Sequence, residues 1–170
     1  MSEDKKAPVM DRRGMFKALA GRGPKTPEPA IPETPEEPDP RFEEGSKALE
    51  AGDYEAAVEA LRPYVRAWQR HAEARRRLGR ALFALERYVQ ARVEFETLLK
   101  RDREDALSRA YQGLCLWRMG KAEKALASWE GLALAGLTPF EKEALEAPDG
   151  PGKLAEAVER AVLAASSATA

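Results

Sequence analysis

One cysteine, Cys115, and one histidine, His71, are all that 170 residues contain of each type. A lone thiol excludes a disulfide framework within the chain, and such cysteine usage fits a reducing compartment, hence a cytoplasmic protein. With one imidazole and one thiol, the usual zinc ligand sets cannot be assembled. Cys115 has no histidine at helical spacing to activate it, so it reads as a small buried hydrophobe. No glycine-rich phosphate loop occurs, and the carboxylates are scattered as on solvent faces. The sequence therefore predicts no catalytic residue, no metal site and no cofactor. Long apolar runs are missing too, so no segment is expected to insert stably in a membrane. Lys plus Arg (28) and Asp plus Glu (29) nearly cancel, which gives nucleic-acid binding no electrostatic support.

Ala, Leu, Glu and Arg are abundant and Val-Ile-Thr runs are scarce, which points to an all-α fold. Residues 23 to 40, "GPKTPEPAIPETPEEPDP", carry seven prolines and one large apolar residue, Ile31. Such a segment cannot bury enough surface to offset its ordering entropy. Residues 1–39 are thus expected to form a disordered, acidic, proline-rich tail, with the folded part beginning near Pro40. Within that tail "DRRGMFKALAGR" stands out. Arg12, Arg13, Met15, Phe16 and Lys17 match a twin-arginine export motif, but proline replaces the apolar stretch such a signal needs. Alternatively, Arg12, Arg13, Met15, Phe16 and Leu19 form a docking motif that folds as a helical turn on a partner. A functionless leader is the third reading.

Beyond Pro40 the chain repeats every 34 residues. Gly45, Gly79 and Gly113 form one series; Ala57, Ala91 and Ala125 a second; Leu61, Phe95 and Trp129 a third; Arg41, Arg75 and Arg109 a fourth. In the first unit a helix runs to about Glu50, "AGDY" reverses the chain at Gly52, and Asp53 caps a second helix. The small residues let the two helices of a unit approach closely, and the large ones fill the space between. Pro63 falls inside the second helix and should kink it. No unit buries its apolar stripe alone, whereas three stacked units do.

This pattern resembles the tetratricopeptide repeat family, over three units of about 38–71, 72–105 and 106–137. The small eighth and twentieth residues and the large twenty-fourth all find their places. Arg41, Arg75 and Arg109 stand where that family has an early Trp, and Gln69, Arg103 and Leu137 where it has a late Pro. The resemblance implies a right-handed solenoid of helical hairpins whose first helices line a concave, peptide-binding groove. Carried over, the groove receives Phe42 and Ser46 from unit one. Unit two supplies Arg76, Arg77, Arg80 and Phe83, and unit three Tyr111, Leu114, Trp117 and Arg118. Guanidinium groups suit carboxylates, and Tyr and Trp are frequent binding anchors, so the expected ligand is a protein or peptide with acidic and apolar or aromatic residues. "RRRLGR" is equally readable as a solvated helix face, and Phe83 and Trp117 as core. The clamp of heat-shock co-chaperones is missing, because Phe42, Ser46, Arg77, Leu107 and Tyr111 occupy its positions.

Residues 138–167 are expected to cap the solenoid. Thr138, Pro139 and Glu141 start a short helix that ends near Glu146. After the break "APDGPG", Leu154, Ala157, Val158, Ala161, Val162 and Ala165 line one face of a last helix, with Glu156 and Arg160 paired on the other. A membrane-surface helix is disfavoured by its few cations. The resemblance implies a non-catalytic interaction module, a scaffold or adaptor. The alternative is a dedicated bacterial assembly or secretion chaperone for one client. The sequence sets no oligomeric state.

Overall fold

A computed structural model describes residues 39–133 and 149–167. The docking motif, the rest of the proline-rich tail and the helix expected after Pro139 lie outside them. Seven helices and no strand occur among the described residues: α1 (Pro40–Glu50), α2 (Tyr54–Ala67), α3 (Ala72–Ala84), α4 (Tyr88–Leu99), α5 (Ala106–Arg118), α6 (Ala122–Trp129) and α7 (Gly150–Ser167).

The second helices begin at Tyr54, Tyr88 and Ala122, which keeps the 34-residue period of the sequence. Four starts are set by side-chain caps, whereas α4 and α6 have none. Asp39, Asp53 and Asp105 accept from the backbone N–H of Arg41, Ala56 and Ser108, and His71 does the same for Ala74 through Nδ1 at 3.0 Å. Pro40 follows Asp39 in the first turn of α1, where no intrahelical donor is required. α2 continues through Pro63 to Ala67 as one helix.

The chain turns over between the helices of each unit at Gly52, Glu86 and Gly120, all in the left-handed region with φ of 78°, 58° and 73°. Each hairpin then closes on one glycine. A Cβ on Gly45 would lie 2.5 Å from Leu61 Cγ; on Gly79, 2.8 Å from Phe95 Cζ; on Gly113, 2.5 Å from Trp129 Cε2. The glycines thus make room for the large residue of the facing helix, not for the alanine series. Leu61, Phe95, Ala57, Ala91 and Ala125 are fully buried, and Trp129 is nearly so.

Hairpins stack through α2 on α3 and α4 on α5, while α1, α3 and α5 lie side by side as a row. This is a helical-hairpin solenoid of three units. The arginines in the early-Trp position tie helix ends instead of filling space. Arg75 pairs with Glu94 and donates to Gln69 O at 3.1 Å, and Arg109 donates to Glu130 O at 2.6 Å.

α7 begins at Gly150, inside the stretch expected to break it, with Pro151 in its first turn. Its buried face is Leu154, Ala155, Val158, Ala161, Val162 and Ser166; Ala157 and Ala165 are only half-buried. Glu156 and Arg160 make no ion pair among the described residues. Glu159 pairs with Arg118 instead. α7 packs against α5.

Candidate interaction groove

The row α1–α3–α5 carries every groove position expected from the sequence. At its start the half-buried Phe42 ring lies 4.9 Å from the imidazole of His71 and 5.4 Å from Tyr64. The guanidinium of Arg77 sits over the same ring, 5.3 Å from its centroid. Ser46 is buried and donates from Oγ to Phe42 O at 2.6 Å, so its hydroxyl is engaged within its own helix.

The basic centre is largely compensated from within. Arg76 donates to Glu73 at 2.5 Å and to Asp105 at 3.0 Å, bridging units two and three. Arg77 donates from Nε to Glu73 at 2.9 Å and lies 3.7 Å from Glu50 of unit one. Burial works to raise the Glu73 carboxyl, but the Arg77 and Arg76 guanidinium groups outweigh it and hold it below the ordinary range. Asp105 is likewise net lowered: burial opposes ionisation, while Ser108 and Arg76 hydrogen bonds favour it more strongly. Arg80 differs from its neighbours. It is half-buried and makes no ion pair among the described residues.

Toward unit three the surface becomes aromatic. Phe83 is half-buried, in edge contact with Tyr88 at 5.4 Å and Tyr111 at 5.6 Å. Tyr111 stacks on Phe95 at 4.9 Å and is buried, its hydroxyl 3.3 Å from Ser166 Oγ. Leu114 is buried as well, while Trp117 is half-buried, 6.3 Å from Trp129. Arg118 is exposed and donates to both carboxylate oxygens of Glu159 at 2.7 and 2.9 Å. Tyr111 and Leu114, placed in an open groove by the sequence, are thus buried, and α7 bonds to the Tyr111 hydroxyl on that side of α5.

Family positions also carry Glu50 and Glu73 into the groove, whereas Asp105, Glu159 and Ser166 are groove residues that the sequence does not point to. Glu73 stands three and four residues before Arg76 and Arg77, a spacing that does signal intrahelical pairs. Asp105 and Glu159 approach from other helices and leave no such signal.

Two other groups bear on chemistry. Cys115 is fully buried and its thiol is pushed up to about 12 by desolvation, so it stays protonated at neutral pH. His71 is held below its ordinary value by burial, with Arg77 adding to the effect and Glu73 opposing it. As a neutral ring it caps α3. Among the described residues no group of three or more His, Cys, Asp and Glu side chains could hold a metal ion. None of the described helices is long and apolar enough to cross a membrane.

On the second-helix side a cleft of about 410 Å³ runs between α2 and α4 over α3, with Leu78 and Leu82 in its lining and Val89 and Val93 on one wall. Its Arg75 is already paired with Glu94.

A family model described as Tetratricopeptide repeat matches residues 48–115, from the end of α1 into α5. No curated protein matches the chain.

Proposed function

Residues 48–115 are of the tetratricopeptide repeat family, and from that premise we propose that the chain is a non-catalytic protein–protein interaction module, a scaffold or adaptor that takes an extended peptide or partner protein in its first-helix groove at α1 and α3. The observation that carries this reading is Arg80. Among the described residues it is the groove arginine of unit two left without a carboxylate, and it lies three residues, less than one helical turn, from the half-buried Phe83. A ligand carboxylate beside an apolar or aromatic side chain satisfies both at once. Arg77 contributes when the ligand displaces the exposed Glu50, whose 3.7 Å approach is the loosest ion pair of the cluster. Arg76 is a positioning residue, committed to Glu73 and Asp105.

The test uses a fluorescein-labelled peptide alternating Asp and Phe, titrated by anisotropy against the full chain and its Arg80→Glu variant. The variant is expected to bind at least roughly tenfold more weakly, and the native affinity to fall between low salt and about 0.5 M salt. Equal affinities for both chains would overturn the assignment of Arg80. An adaptor captures such peptides reversibly; a dedicated chaperone would instead copurify with one stoichiometric client.

A further inference from the structure

The last helix sits where a ligand would. In the solenoid each second helix packs on the next first helix, α2 on α3 and α4 on α5. A helix continuing the stack would therefore pack on α6. α7 packs on α5 instead, and the polar contacts say on which side. Tyr111 meets Ser166 and Arg118 meets Glu159, so numbering rises on one helix as it falls on the other. α7 runs antiparallel along the groove side of α5, where Tyr111 and Leu114 are buried and the Tyr111 hydroxyl meets Ser166.

Its polar ties to α5 are slight. The Arg118–Glu159 pair is exposed to solvent, a setting in which ion pairs contribute little. The Tyr111–Ser166 contact is long for two hydroxyls, at 3.3 Å. The packing stripe is mostly small: Ala155, Val158, Ala161 and Val162. Among the described helices α7 is packed on α5 alone, whereas α3 and α5 are each gripped by several neighbours. An element held this way opens at lower free energy than the core.

We propose that α7 is a displaceable occupant of the groove, and that the partner it stands in for is an amphipathic helix with an alanine–valine stripe and a carboxylate two helical turns before a small hydroxyl residue. This rests on reading the first-helix face as the binding surface, and it replaces an extended ligand by a helical one at unit three. Glu159 and Ser166 are seven residues apart, so they project from one side of α7 and mark the two points such a partner must reproduce. Displacement frees the Tyr111 hydroxyl and the Arg118 guanidinium on either side of the half-buried Trp117, and the incoming helix engages them again.

The probe is a labelled peptide of residues 150–167 added in trans to the full chain. In the native chain the tethered α7 competes at a high effective concentration and the peptide binds weakly. Val158→Asp places a carboxylate in the buried face of α7 without altering α5. That chain is expected to bind the peptide at least roughly tenfold more tightly, and Arg118→Glu in the same background to remove the gain. Hydrogen exchange on the unaltered chain gives an independent readout: amides of 154–166 should exchange well before those of α3 and α5. A folded Val158→Asp chain that gains no affinity would overturn the proposal. So would α7 amides that exchange only together with the repeats, which also decides the matter if Val158→Asp unfolds the chain. The Arg80 titration is separate: its failure would remove the acidic-ligand reading of unit two and leave the 150–167 result to stand or fall by itself.

Discussion

The indole of Trp129 lies directly over Gly113 and donates from Nε1 to the carbonyl of Ala110 at 3.1 Å, so one side chain both fills the hairpin and ties its two helices. Gly113→Ala forces this ring to move and breaks that hydrogen bond. The better helix propensity of Ala returns up to about 1 kcal/mol, against roughly 1–3 kcal/mol of overpacking and the lost bond. A lower thermal midpoint is expected, and a larger drop for Gly79→Leu, where a whole side chain meets Phe95. An unchanged midpoint for both would contradict the close approach.

Arg76 and Arg80 lie one turn apart on the same helix yet should respond unequally to mutation. Arg76→Ala leaves Asp105 and Glu73 without their shared partner, and Asp105 is 12% exposed. A loss of about 1–3 kcal/mol is expected in urea unfolding. Arg80→Ala should stay within about 0.5 kcal/mol of the native chain, as for a half-exposed residue that makes no ion pair among the described residues.

The His71 cap makes stability depend on pH. The folded ring binds a proton less readily than the unfolded one, whose pKa is near 6.5. Above that pH both are neutral and the cap is intact. As pH falls from 6.5 through the lower folded value, the unfolded chain is favoured, and the effect levels off below it. Unfolding free energies at about pH 7.5 and pH 5 should differ less in His71→Asn, which keeps a cap but does not titrate. Titration of Glu73 and Asp105, both lowered from the ordinary carboxylate range, lies below this window.

Cys115 should be silent toward a thiol reagent in the native chain at neutral pH and react fully in denaturant. Burial and the raised thiol act in the same direction. Rapid native labelling would show that α5 opens on its own.

The helix pairs were legible because glycine, alanine and large residues recur at 34, and each closes the same contact in every unit. The role of the arginine series was not legible. Arg75 faces Glu94, nineteen residues on, a partner no helical spacing connects. The pairing of the groove arginines is illegible for the same reason: Arg76, Arg77 and Arg80 stand in the sequence as three cations, while the contacts of Asp105 and Glu50 with two of them form only once the hairpins stack. Periodicity also marked an apolar face on the last helix, but a face does not name what it covers. Leu154, Val158 and Val162 would have read the same on α6 as on α5.

The left-handed turn recurs at Gly52, Glu86 and Gly120, and only the middle one carries a side chain there. That conformation costs an L-residue about 1–2 kcal/mol, so the middle hairpin bends back less readily by itself than the outer two. It is also the one clasped from both sides, α3 by α2 and α4 by α5. In a nearly one-dimensional stack, a weak link with strong interfaces couples its neighbours. The first and third units therefore have to order together, through a centre that neither can do without.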